Sequence, residues 1–464
     1  MKLTVGVSLR DGCVAVVAGL MGAAAFPPLG VWPLSLVSIS LFLLILRDLD
    51  QGRARPLGLL YGLVFGSGTM YWMFRPGLFG IMAIPLVALM AGYFGLFATL
   101  FALTRQRPPL IRATLAALFA VAIEWLRGDA WYLRFPWYTA PHALALSPMW
   151  ASPVRWIGTY GLSFVVWFIA AAGTVGAKRY WLAFLLLPAC SWLLPSFDPP
   201  DRKAVLIQVE DQMMVESRMA EVPTVEVDLA VLPEYAFTFS LETTLRMKNG
   251  PVALAKRLNC PVIFGTTIGG SYGDPGYQNV AAVIDATGNV IDTFPKQRPV
   301  PLMLDGKPGE RRPVFPTEHG TLGVAICYDF DNPAIAADLV AKGATVLVAP
   351  TGDLMTWGAV QHENHELLAR LRALETDRWL LRCTTSGRTE VIDPHGHPSK
   401  DGIAIGESGY LMVEYGHRQG VTWGSRAALL GPVSAGLAGV VVILMILICI
   451  QSRKISTENS ISAT

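Results

Sequence analysis

Charged residues are scarce in this sequence. Asp, Glu, Lys and Arg make up 16% of its 464 residues and hydrophobic residues 52%, whereas an average soluble domain has roughly 25% charged residues. Few charges precede residue 200, and few lie between residues 427 and 450. The net charge is only +2 and no block of Lys and Arg occurs, so nothing favours nucleic acid as a partner. This distribution predicts a membrane protein with one water-soluble part.

The six cysteines include no C-x-x-C pair and form no recognisable disulfide framework. Cys13, Cys190 and Cys449 lie in apolar runs. One of the remaining three is therefore predicted to be a working thiol, and the candidates are Cys260, Cys327 and Cys383.

Motifs for cofactors and metals are also missing. Gly-rich phosphate loops and the G-x-S-x-G serine motif do not occur. The string "HENHE" resembles a zinc-protease motif, but Glu366 stands where the second histidine is needed. The sequence therefore predicts neither a cofactor nor a metal site.

Bilayer-length apolar segments are the main feature of the first 200 residues. Clusters of Lys and Arg precede the first segment and follow the second, fourth, sixth and eighth, which places both termini in the cytoplasm and the soluble part outside. In a Gram-negative bacterium the soluble part would then be periplasmic. Eight spans are predicted, at residues 12–28, 31–47, 56–74, 79–103, 109–127, 160–177, 179–195 and 427–450.

The pattern changes after residue 200 to short β-rich runs that alternate with helical segments, which is typical of an α/β sandwich. Glu234, Lys296 and Cys327 each follow such a run, and we expect them to meet at one end of a sheet. Glu234 could deprotonate the thiol, and Lys296 could lower its pKa and stabilise an oxyanion. Each residue alone is also compatible with an ordinary surface or core position.

Several strings together resemble a known family. "PEY", "PKQRPVP" and "CYD" resemble the Glu, Lys and Cys signatures of the carbon–nitrogen hydrolase (nitrilase) superfamily. "FPPLGVWPL", "EWLR" with "FPW" and "RWIGTYGLSF" resemble the membrane domain of the apolipoprotein N-acyltransferase family. The resemblance implies about eight transmembrane helices and a periplasmic αββα nitrilase-like domain. It implies Glu234 as base, Lys296 as oxyanion-stabilising residue and Cys327 as nucleophile, with a phospholipid as acyl donor and a lipoprotein amine as acceptor.

The sequence departs from the family pattern where a further acid is expected. Leu304 occupies the place of the family Glu, and Asp305 and Glu310 are the candidate replacements. The family's C-Y-E string is Cys-Tyr-Asp here, which makes Tyr328 and Asp329 possible auxiliary residues. A short connection between Lys296 and Cys327 resembles the plasmid-encoded conjugal-transfer branch of the family, TraB, which implies conjugation machinery as a possible partner.

The sequence thus predicts a membrane-embedded acyltransferase in the inner membrane, with the lipid bilayer itself as a partner. Two alternatives stay open: an extracytoplasmic amidase using the same three residues, and a non-catalytic conjugation component, which Leu304 favours. The predicted division is a membrane domain over residues 1–200, a nitrilase-like domain over 201–425 and a C-terminal span with a cytoplasmic tail over 426–464.

Overall fold

The computed structural model describes residues 8–74, 78–131, 133–318, 320–441 and 443. Its N-terminal part is helical. The α-helices are α1 Leu9–Ala24, α2 Pro33–Leu46, α3 Gln51–Thr69, α4 Leu78–Leu103, α5 Pro109–Trp125, α6 Ala140–Leu144, α7 Pro148–Ala151 and α8 Val154–Val175. A π-helical turn over Leu126–Ala130 extends α5.

Small residues allow these helices to pack closely, as is usual between membrane helices. A Cβ atom on Gly58 of α3 would lie 2.4 Å from the carbonyl oxygen of Phe94 in α4. Within the described residues, three helices are long and apolar enough to cross a membrane, namely Gly80–Leu103, Pro109–Ala130 and Val154–Val175.

Six of the predicted apolar segments coincide with α1–α5 and α8, but the seventh differs from the expected single α-helix. It forms two 3-10 helices, Lys178–Leu186 and Pro188–Leu193. Pro188 begins the second helix, and its missing N–H interrupts the hydrogen-bond ladder at that point. Of the eighth segment, Leu430–Val441 is helical and most of the remainder lies outside the described residues.

The second part of the chain contains two β-sheets flanked by helices. The strands are β1 Arg202–Gln208, β2 Leu229–Val231, β3 Val262–Ile268, β4 Gln278–Ile284, β5 Val290–Pro295, β6 Phe315–Thr317, β7 Gly320–Val324, β8 Val346–Thr351, β9 Leu380–Thr384, β10 Glu390–Ile392 and β11 Gly409–Tyr415. The helices are α9 Val215–Glu221, α10 Leu241–Leu245, α11 Pro251–Leu258, α12 Pro333–Ala341, α13 Ala359–Thr376 and α14 Trp423–Arg426.

The first sheet has the order β11-β1-β2-β3-β4-β5 and the second β10-β9-β8-β7-β6. Leu206 and Ile263 of the first sheet share one apolar core with Val324 and Val348 of the second. Because helices cover the outer faces, the central strands are buried on both sides, which explains their continuous apolar runs. This arrangement is the expected α/β sandwich.

One predicted helix differs from the structure in this part. The helical pattern from Leu241 to Leu258 is divided into α10 and α11 by a turn that ends at Gly250. Pro251, at the first position of α11, donates no hydrogen bond and so favours a new helix start there.

Helix α13 connects the two parts of the molecule. Asp377, which ends α13, lies 2.7 Å from a guanidinium nitrogen of Arg155 in α8. Nearby, α8 is broken at Gly158, where φ is 68°. The break frees the Thr159 N–H, which donates a 2.7 Å hydrogen bond to the carboxylate of Glu375. Polar contacts thus hold the α/β sandwich on the helical part.

Candidate active site

Glu234, Lys296 and Cys327 lie close together, but they come from both sheets. Glu234 follows β2, Lys296 directly follows β5, and Cys327 comes three residues after the end of β7. Because β2 and β5 belong to the six-stranded sheet and β7 to the five-stranded sheet, the expectation of a single sheet edge was wrong. The site lies where the two sheets meet, and all three side chains are buried.

Glu234 is held by three donors. Lys296 Nζ lies 2.7 Å from its Oε1, and the Asn279 side-chain amide donates to the same oxygen at 2.6 Å. The backbone N–H of Gly352 donates to Oε2 at 2.7 Å. Strand β3 lies very close to the backbone next to Glu234, since a Cβ atom on Gly265 of β3 would lie 2.4 Å from the backbone nitrogen of Tyr235. The carboxylate is therefore fixed in orientation.

Asp305 is the second carboxylate on Lys296, at 2.6 Å from Nζ. Asn279 and the Tyr235 hydroxyl both donate to its Oδ1 at 3.0 Å, and the Val300 N–H donates to its Oδ2 at 2.7 Å. Leu304, by contrast, is 71% exposed. Of the two acids proposed to replace the family Glu, Asp305 reaches Lys296.

Glu310, the other proposed replacement, is exposed. It lines a surface depression together with Arg311, Arg312 and Lys342, outside the buried cluster around Lys296. Glu310 is therefore not part of the group of side chains that surrounds Cys327.

The pKa values of Lys296 and of the Cys327 thiol are both raised in this site. Burial alone would lower the pKa of Lys296, but Asp305 and Glu234 raise it well above its usual value. The pKa of Cys327 is raised, first by burial and then by the Glu234 carboxylate, which together outweigh the lowering effect of Lys296. Lys296 thus lowers the thiol pKa as expected, but burial and the Glu234 carboxylate have the larger effect. The resting thiol is protonated and needs a base.

Cys327 begins a 3-10 turn over Cys327–Asp331 in a left-handed conformation, with φ 50°. This conformation is uncommon for a residue other than glycine and is frequent at functional sites. Strand β7 ends at Val324, and the nucleophile lies on the turn that follows.

Asp329 and Tyr328, the two remaining candidate residues, hold this turn in place. Asp329 accepts hydrogen bonds from the backbone N–H groups of Gln297, Arg298 and Ile326, at 2.7 to 3.2 Å, and so connects the segments that carry Lys296 and Cys327. Burial raises its pKa to about 7. The Tyr328 hydroxyl donates to the carbonyl oxygen of Arg134, in the helical part, at 2.5 Å.

A largely apolar cavity adjoins Cys327. One wall comes from the helical part, including Trp72 and Leu86, and another from the segment Val300–Met303. The sandwich contributes Gln361 and His365 of α13. A thiol at the wall of such a cavity can meet a reactive carbonyl whose hydrocarbon chain is buried.

Sequence reasoning missed a second buried polar cluster beside this cavity. Asp353 accepts a 2.7 Å hydrogen bond from His365 Nδ1 and a short one from Arg382, and His365 Nε2 lies 3.4 Å from Asp331. Burial alone would lower the pKa of His365, but Asp353 and Asp331 raise it to about 9. The signal lay in "HENHE", which we considered only as a possible metal motif. Asn279 was also missed, because one asparagine in an apolar strand carries no motif.

Both parts of the chain are similar to known protein domains. The apolipoprotein N-acyltransferase N-terminal domain matches residues 18–172, and the carbon–nitrogen hydrolase domain matches residues 200–413. The apolipoprotein N-acyltransferase of Pseudomonas aeruginosa is 27% identical over 94% of this chain and 95% of its own length. That of Azotobacter vinelandii is 27% identical over 82% of this chain and 85% of its own. Among solved structures, an amidase from Nesterenkonia sp. is 18% identical, covers 47% of this chain and 92% of its own, and has a TM-score of 0.39.

Proposed function

Because this chain belongs to the apolipoprotein N-acyltransferase family, we propose that it moves an acyl chain from a membrane phospholipid, through a thioester on Cys327, to the amine of a lipoprotein or a similar acceptor. It is an enzyme of the acyltransferase and carbon–nitrogen hydrolase type. The observation that carries the proposal is one arrangement: Lys296 lies between Glu234 and Asp305, beside a thiol that borders an apolar cavity shared with the membrane part.

In the first half-reaction Glu234 takes the thiol proton, and the Cys327 sulfur attacks the ester carbonyl of the phospholipid. The bond from the carbonyl carbon to the ester oxygen breaks, and Glu234 returns the proton to that oxygen as the lysophospholipid leaves. The ammonium of Lys296 stabilises the oxyanion that forms on the carbonyl. The apolar cavity holds the acyl chain of the resulting thioester.

In the second half-reaction a neutral amine attacks the thioester carbonyl. The carbon–sulfur bond breaks, its electron pair stays on the sulfur, and the proton released by the amine passes through Glu234 to the Cys327 thiolate. An amide and the resting thiol are the products. Asp305 keeps Lys296 charged and in place during both steps, while Asp329 and Tyr328 hold the turn that carries the nucleophile.

We further propose that the enzyme is a multi-pass inner-membrane protein with the sandwich in the periplasm and both termini in the cytoplasm. The division at residues 200 and 425 belongs to this proposal. The position of the Lys and Arg clusters supports it.

The alternatives are less well supported. Asp305 provides the acid whose absence favoured a non-catalytic component. An amidase acting on soluble amides has no need of a cavity wall built from membrane helices. The role in plasmid conjugation stays a prediction from resemblance alone.

Mass spectrometry of the purified protein tests the proposed function. After incubation with phospholipid vesicles, we expect a hydroxylamine-labile acyl adduct on Cys327 that disappears in Cys327→Ser, because a hydroxyl is a far weaker nucleophile than a thiolate. Cys383→Ser is the matched control, since the Cys383 thiol is buried in the core and donates to backbone carbonyls of β1 and β2. Absence of an adduct in the parent protein would refute the proposal, and its loss in Cys383→Ser would reassign the nucleophile.

A further inference from the structure

Gln361 is a buried polar side chain in the wall of the Cys327 cavity. It is 4% exposed, and the cavity it lines is otherwise largely apolar. Its Oε1 atom is buried and accepts no hydrogen bond from any residue that the structure describes. The other polar side chains of this wall are engaged: Tyr328 donates to Arg134, and both ring nitrogens of His365 face carboxylates. An unpaired amide oxygen in an apolar site costs free energy unless a ligand pairs with it.

The neighbouring cluster determines which end of the Gln361 amide is left unpaired. Its Nε2 donates to Asp353 Oδ1 at 3.3 Å. Asp353 is ionised, because His365 and Arg382 lower its pKa despite its burial. An ionised carboxylate only accepts hydrogen bonds, so it must face the NH2 group of the amide. The carbonyl oxygen is thereby left without a partner among the described residues, on a side chain that lines the cavity.

We infer that Gln361 Oε1 binds the attacking amine of the acyl acceptor by accepting one of its N–H bonds. This inference rests on the proposed function and identifies a residue that acts on the second substrate. The ester group of the phospholipid has no hydrogen-bond donor. The Gln361 carbonyl oxygen, which only accepts, therefore forms no hydrogen bond with the reacting ester. An amine approaching the thioester has N–H groups to donate. Gln361 thus orients the amine while Glu234 takes its proton, and no further reactant is involved.

The test measures the two half-reactions separately in the purified full-length protein. Acylation of Cys327 is followed without acceptor. Transfer is then followed with a synthetic peptide that begins with S-diacylglyceryl-cysteine and carries a free α-amine. Loss of one substrate hydrogen bond in Gln361→Met should slow transfer by about 10- to 100-fold, with acylation within about two-fold of the parent. Gln361→Asn, which withdraws the carbonyl by one methylene, should show a smaller loss confined to the same step.

Asn364 provides a matched control on the same helix. Its Oδ1 is likewise buried without a partner among the described residues, but Asn364 does not line the cavity. Asn364→Leu should leave the ratio of the two rates unchanged even if it lowers stability. Equal slowing of both half-reactions in the Gln361 variants, or parental rates in both, would overturn the inference.

A second source of N–H donors is the ammonium headgroup of phosphatidylethanolamine. If Gln361 bound this headgroup, Gln361→Met would slow acylation from phosphatidylethanolamine but not from phosphatidylglycerol, and that result would also overturn the inference. If the parent protein formed no Cys327 adduct, the proposed function itself would fail, which is distinguishable from both outcomes.

Discussion

Asp305 is the residue whose removal tests the catalytic cluster most directly. Its carboxylate lies 2.6 Å from Lys296 Nζ, in a site where the lysine is 1% exposed. Asp305→Asn keeps the shape of the side chain and one oxygen for the Val300 N–H. It removes one of the two negative charges that keep Lys296 protonated and in place.

The charges set the size of the effect. Two unit charges roughly 4 Å apart attract by about 4 kcal/mol at the effective dielectric constant near protein sites. The asparagine oxygen retains part of this interaction, and Glu234 remains on Lys296, so the loss in the transition state should be smaller. About 3 kcal/mol corresponds to an acylation rate roughly 100-fold lower, within the range for a lost acid–base group.

The assay is the initial rate of Cys327 acylation by phospholipid vesicles, followed by intact-protein mass spectrometry, with circular dichroism to verify the fold. Glu310→Gln is the matched control, because it removes an acid from the same loop at an exposed position. Parental acylation in a folded Asp305→Asn protein, or an equal decrease in Glu310→Gln, would refute the role assigned to Asp305.

Two further predictions concern topology and pH. Alkaline phosphatase fused after Pro200 should be active and a fusion after Arg453 inactive, and an inactive fusion at Pro200 would contradict the periplasmic location. Protonated His365 is stabilised by Asp353 and Asp331. Its contribution to the free energy of unfolding is therefore complete below pH 6.5 and is lost as the pH rises through about 9. The thermal unfolding midpoint in detergent should therefore fall between these two pH values, by the equivalent of about 3 kcal/mol of unfolding free energy. It should fall less in His365→Gln. If the midpoint depends on pH equally in this variant and in the parent, another group titrates.

The sequence was sufficient for short apolar runs that are rich in β-branched residues. The runs of β1, β3, β4 and β8 are buried on both faces, so their length and composition, not an alternating pattern, identify them as strands. The seventh apolar segment and the helical segment from Leu241 to Leu258 are each divided into two helices, and one proline in each begins the second helix. A hydropathy profile does not show that a proline lacks the backbone N–H needed to continue a helix.

The site was predictable only where residues follow strands. Glu234 and Lys296 do so, and both follow strands of the six-stranded sheet. Asn279, Asp353 and His365 lie within a strand, a loop and a helix, and their importance comes from partners distant in the sequence. Pairing across such separations leaves no trace in local composition.

The different positions of Leu304 and Asp305 have a geometric explanation. The chain turns and bends over residues 301–304, and Leu304 is exposed while Asp305 is buried on Lys296. The turn before them is closed by Asp305 itself, which accepts the Val300 N–H, and it passes through Leu302 with φ 65°. This turn thus brings Asp305 to Lys296 and leaves Leu304 on the outside.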